Sequence, residues 1–162
     1  MNIIKYTVKK LLFILLFILL SFCSKNDSTQ EPEFFTYEYS ADELNLLDIV
    51  NNYRDSIGLN KLDEIQHISY ECHEHNIYMI DNNVFNHDYF QSRCDNIILV
   101  LDATHVGENI AYNYQTNQSA LDAWLGSDGH KENIEGDWTN FGVSITEGAN
   151  NRRYITMIFV KI

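Results

Sequence analysis

Proline is nearly missing from this chain, and the single one, Pro32, falls in a short polar, acidic stretch, residues 24 to 38. That stretch reads as a flexible tether rather than part of a packed element. Basic residues are also scarce, with 11 Lys and Arg against 23 Asp and Glu and a formal net charge of -12. Three of the lysines, Lys5, Lys9 and Lys10, lie before Cys23, so the remainder carries 8 basic against 23 acidic residues. Such a surface repels phosphate backbones and anionic lipid, which excludes nucleic acid as a partner and leaves room for a cationic ligand or a metal. Long apolar runs are missing too. The one uninterrupted run, "LLFILLFILL" from Leu11 to Leu20, is too short to span a membrane by itself, although counting from Ile3 reaches the length of an anchor. No internal repeat and no low-complexity segment beyond the tether interrupt the rest, so a single domain of ordinary size is expected.

Cysteine is sparse, with Cys23, Cys72 and Cys94 alone. A basic start, a short apolar run and a polar exit describe an export signal over residues 1–22. The segment resembles a bacterial lipoprotein signal, in which the cysteine after the apolar run becomes the acylated first residue. Cys23 holds that place, with Phe22 where a small residue is usual. The resemblance implies an exported protein of the cell envelope, anchored in the membrane through lipid on Cys23 and facing the periplasm or the cell surface. Residues 23–38 are then the tether and 39–162 the folded domain. In an oxidising compartment Cys72 and Cys94 remain as an even pair, open to two readings: a disulfide closing a loop of about 22 residues, or two buried free thiols.

Along the domain, "SADELNLLDIVNNYRDSIGLNKL" from Ser40 opens with a capping box, Ser40 with Glu43, carries apolar residues at helical spacing and ends at Gly58. A second helix follows in "EIQHISYECHEHNIYMIDNN", with Ile65, Ile68, Cys72, Asn76 and Met79 on or near one stripe. A turn carrying His87 and a short helix come next. "GENIAYNYQ" reads as a strand, "NQSALDAWLGS" as a helix capped near Asn117, and "TNFGVSITEG" with "RRYITMIFVKI" as a terminal hairpin joined by "GANN". Helices first and paired strands late make an α+β pattern, a small mostly antiparallel sheet flanked by helices.

Of the six histidines, His67, His73 and His75 lie on one helix without the i, i+4 pairing a zinc pair on a helix needs, and read as surface or half-buried structural residues. His105 reads as exposed in a loop. His87 and His130 stand at element ends where side chains can converge, and Glu108 enters a strand, where a carboxylate needs a partner. The serine of "LGSDGH", Ser127, lacks the glycine two residues before it that a nucleophile elbow requires. Trp124, Trp138, Tyr112 and Tyr114 can line a groove or fill a core.

The ordered pieces "NNYRDSIGLNKL", "HNIYM", "FNH", Arg93, "GENIAY", "AWLGSDGHKENI" and "TNFGVSI" resemble the CAP superfamily (the SCP domain of cysteine-rich secretory proteins, antigen 5 and pathogenesis-related 1 proteins) in its compact bacterial form. The resemblance covers about residues 41 to 160. It implies an α-β-α sandwich whose cleft holds a histidine pair, His87 and His130, and an acidic residue, Glu108, as the ligands of zinc or another divalent metal. Members with a full tetrad carry a second glutamate where this chain has Ser127, a cleft candidate without a carboxylate. The resemblance therefore implies a monomeric module binding a small ligand, lipid, peptide or glycan. The alternatives are a metal-dependent hydrolase, such as a peptidase, and a structural or interaction domain without metal.

Overall fold

The computed structural model describes residues 32–162. The export signal, Cys23 and the first part of the tether lie outside the described residues. Residues 32–162 form one compact unit, and every residue of its core clusters falls between Tyr39 and Val160. A unit with its own core folds without the segment before it.

Helix α1, Ala41–Ser56, begins where the sequence places it. Ser40 accepts from the Glu43 amide while the Glu43 carboxylate reaches back to the Ser40 amide, so both orphan donors of the first turn are satisfied. The strand β1, Asp63–Glu64, follows, then α2, Gln66–Asp81, and α3, Phe90–Leu101. Strand β2, His105–Tyr112, leads to α4, Asn117–Leu125, and α5, Asp128–Glu135. The terminal hairpin is β3, Asn140–Glu147, and β4, Arg153–Lys161, joined through a 3-10 turn at Ala149–Asn151.

The sheet runs β1-β3-β4-β2. β3 and β2 each pair antiparallel with β4, and only the two-residue β1 runs parallel to β3. Strand β4 is buried from Arg153 to Val160, because helices cover both faces of the sheet. Its alternation divides the core in two. Ile155, Met157 and Phe159 join the α1, α4 and α5 side with Leu46, Val50 and Trp124. Ile158 and Val160 join Ile68 and Cys72 of α2 and Ile97 of α3. A period of two feeding two separate cores is the signature of a sheet between helical layers. Helix α2 lies close because Gly142 of β3 has no side chain. A Cβ there would stand 2.6 Å from the Ser69 amide nitrogen.

Two sequence expectations change, and one question left open is decided. The stretch up to residue 38 was expected to be tether, but its last part is docked. Phe35 stacks on Tyr70 at 4.4 Å, the Tyr37 hydroxyl donates to Glu43 Oε1 at 2.6 Å, and Ser69 Oγ donates to the Tyr39 hydroxyl at 2.8 Å. The alternation of Phe35, Tyr37 and Tyr39 turns one edge of an extended strap onto α2 and the sheet. Second, His67 and His75, expected at the surface or half-buried, are fully buried. Of the two readings left open for Cys72 and Cys94, the structure has the two buried free thiols. Cys72 faces the sheet, where its thiol approaches the Gly142 carbonyl at 3.6 Å, and burial pushes the Cys94 thiol up to about 11.

His67 ties the strap to α3. Its Nδ1 accepts from the Phe35 amide at 3.1 Å, so the ring proton sits on Nε2, 2.7 Å from Asn96 Oδ1. Burial lowers its pKa below the usual value, as it does for His75 and His130. The unfolded chain takes up these protons near pH 6.5 while the folded one resists, so unfolding is favoured as pH falls below that value. Urea midpoints measured at pH 7.5, 6.5 and 5.5 are expected to decline on the acid side. His67→Gln, which cannot protonate, is expected to flatten part of that slope.

Candidate functional site

The site is assembled from four pieces of chain. Glu108 comes from β2, flanked by Gly107 and Asn109. His87 comes from the turn between α2 and α3, Arg93 from the first turns of α3, and His130 from the start of α5.

The helix before His130 ends earlier than the sequence suggests. α4 stops at Leu125 with Gly126 as its cap, and Ser127 is the N-cap of a new helix whose third residue is His130. The imidazole is therefore presented from a first helical turn and not from a frayed end. That turn is held by the "GEN" segment. Asn109 Nδ2 donates to the His130 carbonyl at 2.9 Å, and Asn133 Nδ2 donates to the Glu108 carbonyl at 3.1 Å and to Asn109 Oδ1 at 2.9 Å. Gly107 makes the approach possible, since a Cβ there would meet Asn133 Oδ1 at 2.8 Å. The other end of α5 is held by Arg54 of α1, fully buried, which donates to the carbonyls of Ile134 at 2.7 Å and Gly136 at 3.0 Å. A buried guanidinium spent on carbonyls is a positioning device, and its planar fork suits that task.

Glu108 is 6% exposed and fully engaged. Arg93 Nε donates to Oε2 at 2.9 Å and Arg93 Nη2 to Oε1 at 2.9 Å. His87 Nδ1 lies 2.8 Å from the same Oε1. Arg93 is itself tied to the Asp88 carbonyl at 2.8 Å. The carboxylate accepts, so His87 carries its proton on Nδ1 and turns the Nε2 lone pair outward. The burial of Glu108 is thus offset by a two-pronged ion pair and a third donor, the condition under which a buried charge is tolerated. At His130, burial first and the nearby His87 second lower the pKa. Its imidazole is uncharged at neutral pH.

Beside these groups opens a cleft of about 350 Å³, lined by Phe85, Tyr112, Tyr114, Trp124, Ser127 and His130. Trp124 is 1% exposed and donates its indole N–H to the Ile110 carbonyl at 2.9 Å, so it is core and cleft floor together. Trp138 has another task, packing on Phe159 and donating to the Asn133 carbonyl at 2.7 Å.

The structure brings His87 and Glu108 into direct contact and sets His130 and Ser127 in the adjoining cleft. Sequence reasoning gave no role to Arg93, Asn109 or Asn133. A polar residue's partner on another element leaves no periodicity to detect. Glu108 differs from a carboxylate with an open face, because Arg93 and His87 already engage both oxygens. The imidazole nitrogens there with no described hydrogen bond are His87 Nε2 and those of the His130 ring. Among the described residues no group of three His, Cys, Asp or Glu side chains is arranged to hold one.

The family model of the cysteine-rich secretory protein family, CAP, matches residues 47–159. This chain belongs to that family. It is 34% identical over 125 residues to the uncharacterized membrane protein YlbC of Bacillus subtilis (strain 168), a match covering 74% of this chain and 34% of that protein. The chain thus spans about a third of the length of that relative. Among solved structures, an extracellular SCP-domain protein from Bacillus anthracis str. Ames matches 75% of this chain and 40% of its own, at 26% identity and a TM-score of 0.66. An outer surface protein from Borrelia burgdorferi shares the fold at 20% identity and a TM-score of 0.68, covering 80% of this chain and 98% of its own.

Proposed function

We propose that this chain is an exported CAP-domain binding module, held at the cell envelope, whose aromatic cleft beside His87 and His130 takes a ligand and can hold a divalent metal such as zinc. The observation that carries the choice of binding over hydrolysis is the commitment of Glu108 to Arg93 and His87. A general base needs a free lone pair within reach of its proton, and Ser127 stands where a second carboxylate would be. His87 Nε2 and the neutral His130 would hold the ion, with Glu108 orienting His87 from behind. A zinc in that position would polarise a bound oxygen of the ligand. The apolar walls offer stacking for a ring or an acyl chain.

Zinc titration by calorimetry on residues 32–162 tests this. Binding near one ion per chain, abolished in His87→Ala/His130→Ala, is expected. A folded wild type that takes up no zinc would remove the metal from the reading and leave the aromatic cleft. Zinc-dependent hydrolysis of a peptide or ester would replace it with the hydrolase.

Envelope attachment rests on the basic and apolar start of the chain and on the extracellular and membrane descriptions of its relatives. No helix among the described residues is long and apolar enough to cross a membrane. Lipid on Cys23 would leave residues 24–34 before the docked Phe35, a reach of about 38 Å at full extension. Cys23→Ser is expected to move the protein from the membrane fraction to the soluble one. Retention of that variant in membranes would point instead to an uncleaved apolar anchor.

A further inference from the structure

We infer that the ligand of the cleft is an extended peptide, which adds to the outer edge of β2 as a further strand. The inference rests on the reading of this cleft as a ligand site and names what it takes. The side chains of Ile110 and Tyr112 pack with Met79 and Tyr154 on the α2 side of the sheet, whereas Ala111 packs with Trp124 on the other side. The cleft touches all three of these strand residues. It also meets Phe85, which packs on Tyr112 at 5.6 Å, and on the opposite side Ser127 and His130. A space that meets three successive residues and both layers lies along the edge of the strand.

That edge is chemically unfinished. The Asn113 amide donates to the Arg153 carbonyl at 2.8 Å, and the register pairs Ala111 with Ile155 and Asn109 with Met157. The odd residues of β2 therefore bond to β4, and the main-chain groups of the even ones point away from the sheet. Side chains cover two of these groups: Asn133 donates to the Glu108 carbonyl and Trp124 to the Ile110 carbonyl. No described hydrogen bond engages the Ile110 amide, or the amide and carbonyl of Tyr112. Open edges are normally blunted by lysine, proline or a covering element. Residues 110–114 contain neither lysine nor proline, and what lies beside them is the cleft.

Main-chain groups that recur at every second residue, roughly 7 Å apart, match the backbone of another strand, and neither a ring nor an acyl chain supplies partners at that repeat. An antiparallel partner uses both groups of Tyr112 with one of its residues. That residue exchanges two hydrogen bonds with Tyr112, and the residue two further on accepts from the Ile110 amide. The side chains of these two residues stand on the side of Phe85 and Tyr112, where an aromatic or branched apolar group is matched by cross-strand packing. The residue between them faces Ala111, Ser127 and His130, which suits a small polar side chain. The net charge of -12 favours a basic peptide.

The test uses isotope-labelled residues 32–162 and capped pentapeptides Lys-Xaa-Ser-Xaa-Lys, with Val, Leu, Phe or Tyr at each Xaa. Saturable amide shifts at Phe85, Ile110, Ala111 and Tyr112, with slowed exchange of the Tyr112 amide proton, are expected for at least one of them. In that peptide, N-methylation of the first Xaa removes the donor to Tyr112 and is expected to weaken binding by about tenfold or more. N-methylation of the serine, whose N–H points away from β2, is expected to change it little. Phe85→Ala, at an exposed side chain, is expected to weaken binding by up to about fivefold. Equal losses from the two N-methylations, or no saturable shift from any of the peptides, would overturn the strand. Saturable shifts with indole alone would give the cleft to a small aromatic ligand. Concentration-dependent shifts of the same amides without peptide would give the edge to a second copy of this chain, and either result overturns the peptide. Zinc uptake tests the underlying reading by itself, so a chain that binds zinc but no peptide loses only this inference.

Discussion

Arg93→Met is expected to destabilise the protein by about 3–5 kcal/mol, read as a lowered urea midpoint, because it strands the Glu108 carboxylate in the interior. The Glu108 side chain is 1% exposed and that of Arg93 7%, so water replaces little of what is lost. The paired change Arg93→Met/Glu108→Leu is expected to recover much of that cost, since two apolar groups demand no hydrogen bonds. A single variant costing less than about 1 kcal/mol would show that solvent reaches Glu108 and that the pair is not a buried one. The same pair matters for function. Without Glu108, His87 has no acceptor to hold its proton on Nδ1, so a double variant that is stable but loses zinc would separate the folding role of Arg93 from the orienting role of Glu108.

Starting the chain at residue 38 instead of 32 is expected to cost about 3 kcal/mol. Phe35 and Tyr37 would be lost, each half-buried and contributing about 1 kcal/mol of apolar contact. The hydrogen bond from the Tyr37 hydroxyl to the Glu43 carboxylate adds about 1 kcal/mol or more. In a domain of this size the loss corresponds to roughly 10 °C in Tm. Phe35→Ala in the longer chain is expected to give about a third of the effect. Equal stability of the two chains would mean that the strap is adventitious and that the domain begins at α1.

The start of α1, the apolar stripe of α2 and the terminal hairpin follow from local rules, whereas the break at Gly126 and the new helix α5 do not. The Ser40–Glu43 capping box, the stripe Ile68, Cys72, Asn76 and Met79, and the alternation along β4 are all written in short windows of sequence. The family motifs likewise place His87, Glu108 and His130 at one cleft by resemblance. β1 escaped because two residues, Asp63 and Glu64, carry no period. The strap escaped because its composition is polar and only every second residue touches the fold.

The sequence by itself determined the α+β sandwich, the acidic surface and the membership of the CAP family, because hydrophobic period, capping and motif order are local properties of the chain. Only the tertiary structure decided that Glu108 belongs to Arg93 and His87, that His67 and His75 are buried, that Cys72 and Cys94 stay apart, and that Asn109 and Asn133 lock α5 to β2. Each of these depends on which group meets which across 11 residues of chain or more. Such pairings are set by the packing of whole elements, and no short window along the sequence contains both partners.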